Sequence, residues 1–138
     1  MMNMRELMMG ALEKKASDIH LKVGCPPIYR IDGSLVRLED EVIDPPRMEQ
    51  LLSEIASPTD VSKFQKVLEL DCSYIMEGIA RFRVNVCKED GDTRIVLRLI
   101  PLRIKTIDEL KLPTILARIC QAKTGLVLVT GPTGSGKS

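Results

Sequence analysis

Apolar and polar residues alternate from Asp18 to Val23: Asp18, His20 and Lys22 are polar, and Ile19, Leu21 and Val23 are apolar. This is the period of a half-buried strand. Gly24-Cys25-Pro26-Pro27 then turns the chain, a second strand is predicted over 28–31, and Asp32-Gly33 is a two-residue hairpin signal that returns 35–38 beside it. These three strands predict a small antiparallel unit. Helical spacing appears on either side of them. Asn3 and Glu6 form a capping-box pattern ahead of Leu7, Met8, Ala11 and Leu12, which predicts an amphipathic helix to about Lys15. Met48, Leu51, Leu52 and Ile55 mark a second helix after Pro45-Pro46. Ser57-Pro58, a cap followed by a first-turn proline, opens a third with Val61, Phe64 and Leu68 on one side. Two longer strands, 79–88 and 93–100, flank Asp90-Gly91, and a short strand is predicted before them near 70–76.

The Asp90-Gly91 turn sets a register. If it has two residues, Glu89 faces Asp92, Phe82 faces Leu99, Val84 faces Leu97 and Val86 faces Ile95. One face of the hairpin is then wholly apolar and covers a core, a match that a slip of one residue destroys. On the other face Arg83 stands opposite Arg98, with Arg81 two residues along on the same side. Like charges so placed repel. Two arrangements relieve the repulsion: the side chains splay into solvent or meet nearby carboxylates, or they share an anion in a two-armed guanidinium clamp.

Beyond residue 100 the pattern changes. Residues 101–105 have no clear period and read as a linker, after which Thr106 and Glu109 offer a capping box for a short turn. Pro113 suits the first turn of a helix with Ile115, Leu116 and Ile119 on its apolar side, and Gly125 suits its left-handed C-cap. The continuous apolar run Leu126 to Val129 predicts a fully buried strand of the parallel-sheet kind. Directly after it, Gly131-Pro132-Thr133-Gly134-Ser135-Gly136-Lys137-Ser138 matches G-x-x-x-x-G-K-[ST], the phosphate-binding loop. Glycines at these places let successive backbone N–H groups approach phosphate oxygens with no Cβ in the way. Gly131, Thr133, Gly134, Ser135, Gly136, Lys137 and Ser138 are therefore nucleotide-binding candidates. Lys137 would bridge the β- and γ-phosphates of ATP, and the Ser138 hydroxyl would hold Mg²⁺. With such a loop in the same chain, the natural candidate for an anion shared by Arg83 and Arg98 is the γ-phosphate of a nucleotide, met in the manner of arginine fingers.

Composition narrows the class. Of 138 residues, 44% are hydrophobic and 28% charged, the balance of a folded domain. Twenty basic against nineteen acidic residues leave a net charge of +1, so no broad footprint for nucleic acid or an anionic membrane exists and any anion site is local. No apolar stretch reaches the roughly eighteen residues of a transmembrane segment. The Met-rich start is broken by Arg5, Glu6 and Glu13, unlike a signal-peptide core, and a cytoplasmic location is expected. Cys25, Cys72, Cys87 and Cys120 lack C-x-x-C spacing and His20 is the sole histidine, which favours half-buried thiols in a reducing compartment over a metal site.

Ala16-Ser17-Asp18-Ile19-His20-Leu21, Gly24-Cys25-Pro26-Pro27, Arg30-Ile31-Asp32-Gly33, Arg81-Phe82-Arg83-Val84-Asn85 and the run 126–138 follow one another in a familiar order. Over nearly its whole length the chain resembles the type IV pilus retraction ATPases, within the type II and type IV secretion ATPase superfamily. The resemblance implies an α+β fold with three parts. These are a PAS-like amino-terminal domain over 1–100, an interdomain linker over 101–112, and the first helix and strand of a RecA-like α/β domain over 113–138. It implies a hexameric ring that binds ATP and Mg²⁺ and works on an inner-membrane platform protein of the pilus, from the cytoplasm and peripheral to that membrane. It places Arg83 and Arg98 at positions that reach the nucleotide phosphates, with Arg81 part of the retraction-type pattern. Asp18 and His20 belong to a family signature, and His20 is read as a satisfied structural residue. Cys25 and Cys72 stand where larger apolar residues are usual, and Lys111 where glycine is common.

The family's catalytic glutamate and its His and Asp boxes would lie beyond Ser138. No catalytic residue is therefore assigned within the chain, and these residues alone are expected to be inactive. The first strand begins about eighteen residues from Met1, without room for the extra amino-terminal domain of assembly and secretion ATPases, so retraction is the preferred role. Two further readings stand beside it: a pilus-assembly or type II secretion ATPase, and a non-enzymatic interaction or sensing module formed by the first hundred residues. A small-molecule P-loop kinase is disfavoured by the long segment that precedes the loop.

Overall fold

The computed structural model describes residues 2–103 and 105–131. They fall into two compact units, 1–102 and 103–138. The first contains α1 (Met4–Glu13), β1 (Asp18–Lys22), β2 (Ile28–Ile31), β3 (Ser34–Arg37), α2 (Pro45–Ser53), α3 (Pro58–Val67), β4 (Glu69–Met76), β5 (Ala80–Glu89) and β6 (Asp92–Ile100). All six strands join one antiparallel sheet in the order β3-β2-β1-β6-β5-β4, and the fold is α+β.

Local signals account for most of these elements. Asn3 accepts from the Glu6 amide at 2.9 Å while the Glu6 carboxylate accepts from the Asn3 amide at 2.8 Å, closing the capping box of α1. Asp44 caps α2 and Ser57 caps α3, each followed by proline in the first turn. The two hairpin turns have positive φ at both central residues, 48° and 82° at Asp32-Gly33 and 54° and 89° at Asp90-Gly91. Such turns match the twist of the flanking strands, and Asp followed by Gly tolerates them best.

The register derived from the second turn is the observed one. Phe82 pairs with Leu99, Val84 with Leu97, Val86 with Ile95 and Arg83 with Arg98. Phe82, Val84, Val86, Ile95 and Leu97 are fully buried under the helices, with Leu7 and Met8 of α1, Met48 and Leu51 of α2 and Phe64 of α3. Tyr29 enters the same core, and its hydroxyl donates to the Leu7 carbonyl at 2.5 Å. Burial pushes that phenol up to about 12. The expected antiparallel unit of β1, β2 and β3 is present, and β1 also pairs with β6, which places it in the middle of the sheet. Ile19 faces Leu97 and Leu21 faces Ile95, so β1 closes the apolar face over the open edge of the β5–β6 hairpin.

In the second unit, Thr106 and Glu109 cap one another as expected, at 2.9 and 3.2 Å. The turn ends with Lys111 at φ 53°, a left-handed backbone that glycine adopts without strain. A short helix α4 (Ile115–Cys120) follows, with Gln121 as its C-cap. Gly125 therefore does not cap it, contrary to expectation: the helix stops four residues earlier, even though Gly125 has a positive φ of 125°. Leu126 to Val129 form no strand and are exposed, which corrects the reading of a buried strand. A strand exists only where neighbours take its N–H and C=O groups, and the described residues of this unit contain no other strand.

Candidate functional site

Alternation along β1, β5 and β6 sends every second side chain away from the core, onto the polar face of the sheet. Register lines up four of these residues across four strands: Arg30 on β2 faces Asp18 on β1, Asp18 faces Arg98 on β6, and Arg98 faces Arg83 on β5. Three guanidinium groups and one carboxylate thus share one row. Beside it, Asp71, Arg83, Asn85, Cys87, Arg94 and Arg98 line a depression of about 360 Å³. Arg81 does not line it, since it sits nearer the start of β5, opposite Ile100.

The two facing arginines are held differently. Arg98 gives only its Nε to Asp18 Oδ1, at 2.9 Å. Arg83 gives Nε and Nη2 to the two oxygens of Asp71 on β4, at 3.2 and 2.5 Å, in a two-pronged fork. Asp71 stands in register with Asn85, diagonal to Arg83, within reach of the long side chain. Contact with nearby carboxylates is therefore how the two like charges are accommodated in this structure.

Asp18 is the best-anchored group of the row. Its carboxylate accepts from Ser17 Oγ at 2.8 Å and Arg98 Nε at 2.9 Å, and Arg30 Nε approaches at 3.3 Å. Its side chain is 5% exposed against 70% for Arg98. Burial alone would raise its pKa, but the hydrogen bonds from Arg98 and Ser17 outweigh burial and hold the carboxyl below its usual value. His20, two residues along, is pushed down by burial and by the Arg30 charge, so its imidazole is neutral at pH 7. Its Nε2 is buried with no hydrogen-bond partner among the described residues, which departs from the expectation of a satisfied side chain. Two more carboxylate pairings flank the row, Lys22 to Glu89 at 2.9 Å and Arg94 to Glu89 at 3.4 Å.

Of the loop, only Gly131 is among the described residues; Thr133, Gly134, Ser135, Gly136, Lys137 and Ser138 lie outside them. Asp71 and Arg30 were missed as partners of the arginine row. Gly78, at φ 69°, was the available signal: it closes a short connection between β4 and β5, and alternation from there puts Asp71 on the face of Arg83.

Comparison with known proteins gives a consistent result. The chain is 37% identical over 137 residues to the type IV pilus retraction ATPase PilT of Pseudomonas aeruginosa, covering 99% of this chain and 40% of the relative. It is 31% identical to the type IV pilus ATPase PilU of the same organism, covering 99% and 36%. The crystal structure of the pilus retraction motor PilT with bound ADP superposes with a TM-score of 0.83 at 38% identity, covering 99% of this chain and 40% of that one. The chain thus spans about 40% of the length of these relatives. The profile of the Type II/IV secretion system proteins matches residues 2–138, and with that span the chain belongs to this family.

Proposed function

We propose that this chain works as part of an ATP-hydrolysing, ring-forming motor that retracts type IV pili. The observation that carries the reading is the placement of Arg83 directly opposite Arg98 in a chain that also bears the loop Gly131 to Ser138. Two guanidinium groups in one row, beside a depression, form a donor set suited to a phosphate. Similarity to two pilus ATPases of Pseudomonas aeruginosa supplies the process.

In this reading residues 1–100 are a PAS-like domain, 101–112 a linker and 113–138 the start of a RecA-like domain. Backbone N–H groups of Gly131, Thr133, Gly134, Ser135 and Gly136 hold the phosphates, Lys137 bridges the β- and γ-phosphates, and the Ser138 hydroxyl holds Mg²⁺. Bound Mg²⁺ would supply charge neutralisation at the phosphates. Arg83 and Arg98 act on the γ-phosphate, with Arg81 beside them in a supporting position. The motor is hexameric, works in the cytoplasm at the inner membrane and acts on the pilus platform protein. Among the described residues no helix is long and apolar enough to cross a membrane. The 138 residues alone are expected to show no turnover, since none of them is assigned as general base.

Steady-state ATP hydrolysis by the full-length protein is the test. Lys137→Ala should abolish turnover, and Arg83→Gln or Arg98→Gln should each lower it by about 10³-fold, the scale of a lost arginine finger. Near-normal turnover in both arginine variants would return the pair to a purely structural role. Disruption of the gene should leave pili extended and unretracted; loss of extension with retraction intact would reassign the motor to assembly.

A further inference from the structure

The two arginines differ in their counter-ions, and that difference has a functional consequence. Asp18 is locked in place: buried, hydrogen-bonded by Ser17 and shared with Arg30. Because it engages only the Nε of Arg98, both Nη groups of that arginine are left without a protein partner among the described residues. Asp71 is held by Arg83 alone among the described residues, and its side chain is 43% exposed. It occupies one complete two-pronged edge of the Arg83 guanidinium, the arrangement that a phosphate would otherwise take.

We propose that Asp18 is a positioning residue that aims Arg98 at a nucleotide phosphate, whereas Asp71 is an exchangeable counter-ion that competes with that phosphate for Arg83. The inference rests on the reading that this arginine pair meets a nucleotide. A buried carboxylate with three partners keeps its place when an anion arrives. Removing its charge frees Arg98 to adopt other rotamers, and a misplaced catalytic group costs turnover out of proportion to the displacement. An exposed carboxylate with one partner behaves differently. Its ion pair is weak in water and screened by salt, and its charge repels an incoming phosphate, so an empty Arg83 edge should attract that phosphate more strongly.

The two aspartates therefore make opposite predictions, measured as kcat and KM for Mg²⁺-ATP with the full-length protein. Asp18→Asn should lower kcat by about 10- to 100-fold, the usual scale for outer-sphere partners of a site, with a smaller change in KM. It should cause no further loss in an Arg98→Gln background, because both changes disable one unit. Asp71→Asn should lower KM by about two- to fivefold at low ionic strength, an advantage that closes as salt is raised. If Asp18→Asn does not fold, Ser17→Ala removes one anchor of the same carboxylate and should lower kcat about threefold in the wild type but not in the Arg98→Gln background.

Normal kcat in Asp18→Asn, or in Ser17→Ala where that stands in for it, would overturn the positioning role. An unchanged or raised KM in Asp71→Asn would overturn the competition. If Arg83→Gln and Arg98→Gln themselves leave turnover intact, the nucleotide reading fails, an outcome distinct from failure of the aspartate roles alone.

Discussion

The two faces of the sheet are made from alternate residues of the same strands, yet they are specified in different ways. On the covered face, Phe82, Val84, Val86, Ile95 and Leu97 are held by burial, which is non-directional and tolerant of which apolar neighbour is met. On the polar face, Arg30, Asp18, Arg98 and Arg83 are held by discrete contacts between named atoms. One face therefore supplies stability in proportion to its area, whereas the other supplies a charge arrangement whose energy is small in water and whose geometry matters. Loss of a residue from the first should be read in the melting curve, and loss from the second in turnover.

The sharpest test uses sequence neighbours on opposite faces. Phe82→Ala should destabilise the fold by about 3–5 kcal/mol, the scale for truncating a buried aromatic residue. Arg83→Gln should melt like the wild type, since the Arg83–Asp71 pair is exposed, while ATP turnover of the full-length protein falls by about 10³-fold. Equal losses of stability in the two variants would erase the distinction between the faces.

Gly10 tests how tightly the covered face is packed. A Cβ at this position would lie 2.9 Å from the Tyr29 hydroxyl, which is itself fixed by its bond to the Leu7 carbonyl. Alanine favours a helix interior over glycine by roughly 0.5–1 kcal/mol, but a clash with a ring that cannot move costs about 1–3 kcal/mol. Gly10→Ala should therefore lower stability on denaturant unfolding, and the loss should shrink in a Tyr29→Phe background. A plain gain in stability would show that the interface is looser than the geometry implies.

Arg98→Gln probes the one place where the polar face takes on core character. Asp18 is buried, but Arg30 and Ser17 remain as partners when Arg98 is lost. The expected cost is about 1 kcal/mol, well below that of orphaning a buried carboxylate. A loss as large as that of Phe82→Ala would mean that Asp18 depends on Arg98 alone.

The smallest effect is the pH dependence. The His20 pKa is lowered in the folded state from its ordinary 6.5, so the folded protein binds this proton less readily than the unfolded chain. Stability from this group is complete above pH 6.5 and declines as pH falls below 6.5 through the folded value. Asp18 is also lowered, from 3.8, so its contribution is complete above about pH 3.8 and declines as pH falls from there through its folded value. Melting between pH 7 and 5 should show a decline in the wild type that His20→Gln flattens. An identical decline in both would assign it to other groups.

Much of the fold was legible because its signals are local. The capping box at Asn3 and Glu6, the cap-proline starts of α2 and α3 and the two Asp-Gly turns each lie within a few residues, and the β5–β6 register followed from turn length and alternation alone. Lys111 shows the same locality: its backbone is left-handed, a conformation that glycine adopts without strain. Leu126 to Val129 were misread because apolar composition is a necessary condition for a buried strand, whereas pairing depends on neighbours that a short run does not contain. The candidate site was only half legible. Arg83 and Arg98 came from one hairpin, but the carboxylates that hold them come from β1 and β4.

By itself, then, the amino-acid sequence determined the hairpins, the helix starts, the apolar face of β5–β6 and the phosphate-loop motif, because each is encoded in turn residues, caps or spacing over short distances. Only the tertiary structure decided that β1 inserts between β2 and β6 and that Asp18, 80 residues from Arg98, becomes its partner. The physical reason is that the open edge of a hairpin accepts any strand of suitable alternation, and no local signal names which one. Once Ile19 and Leu21 are buried opposite Leu97 and Ile95, the period of two leaves Asp18 no other face, and it must meet Arg98.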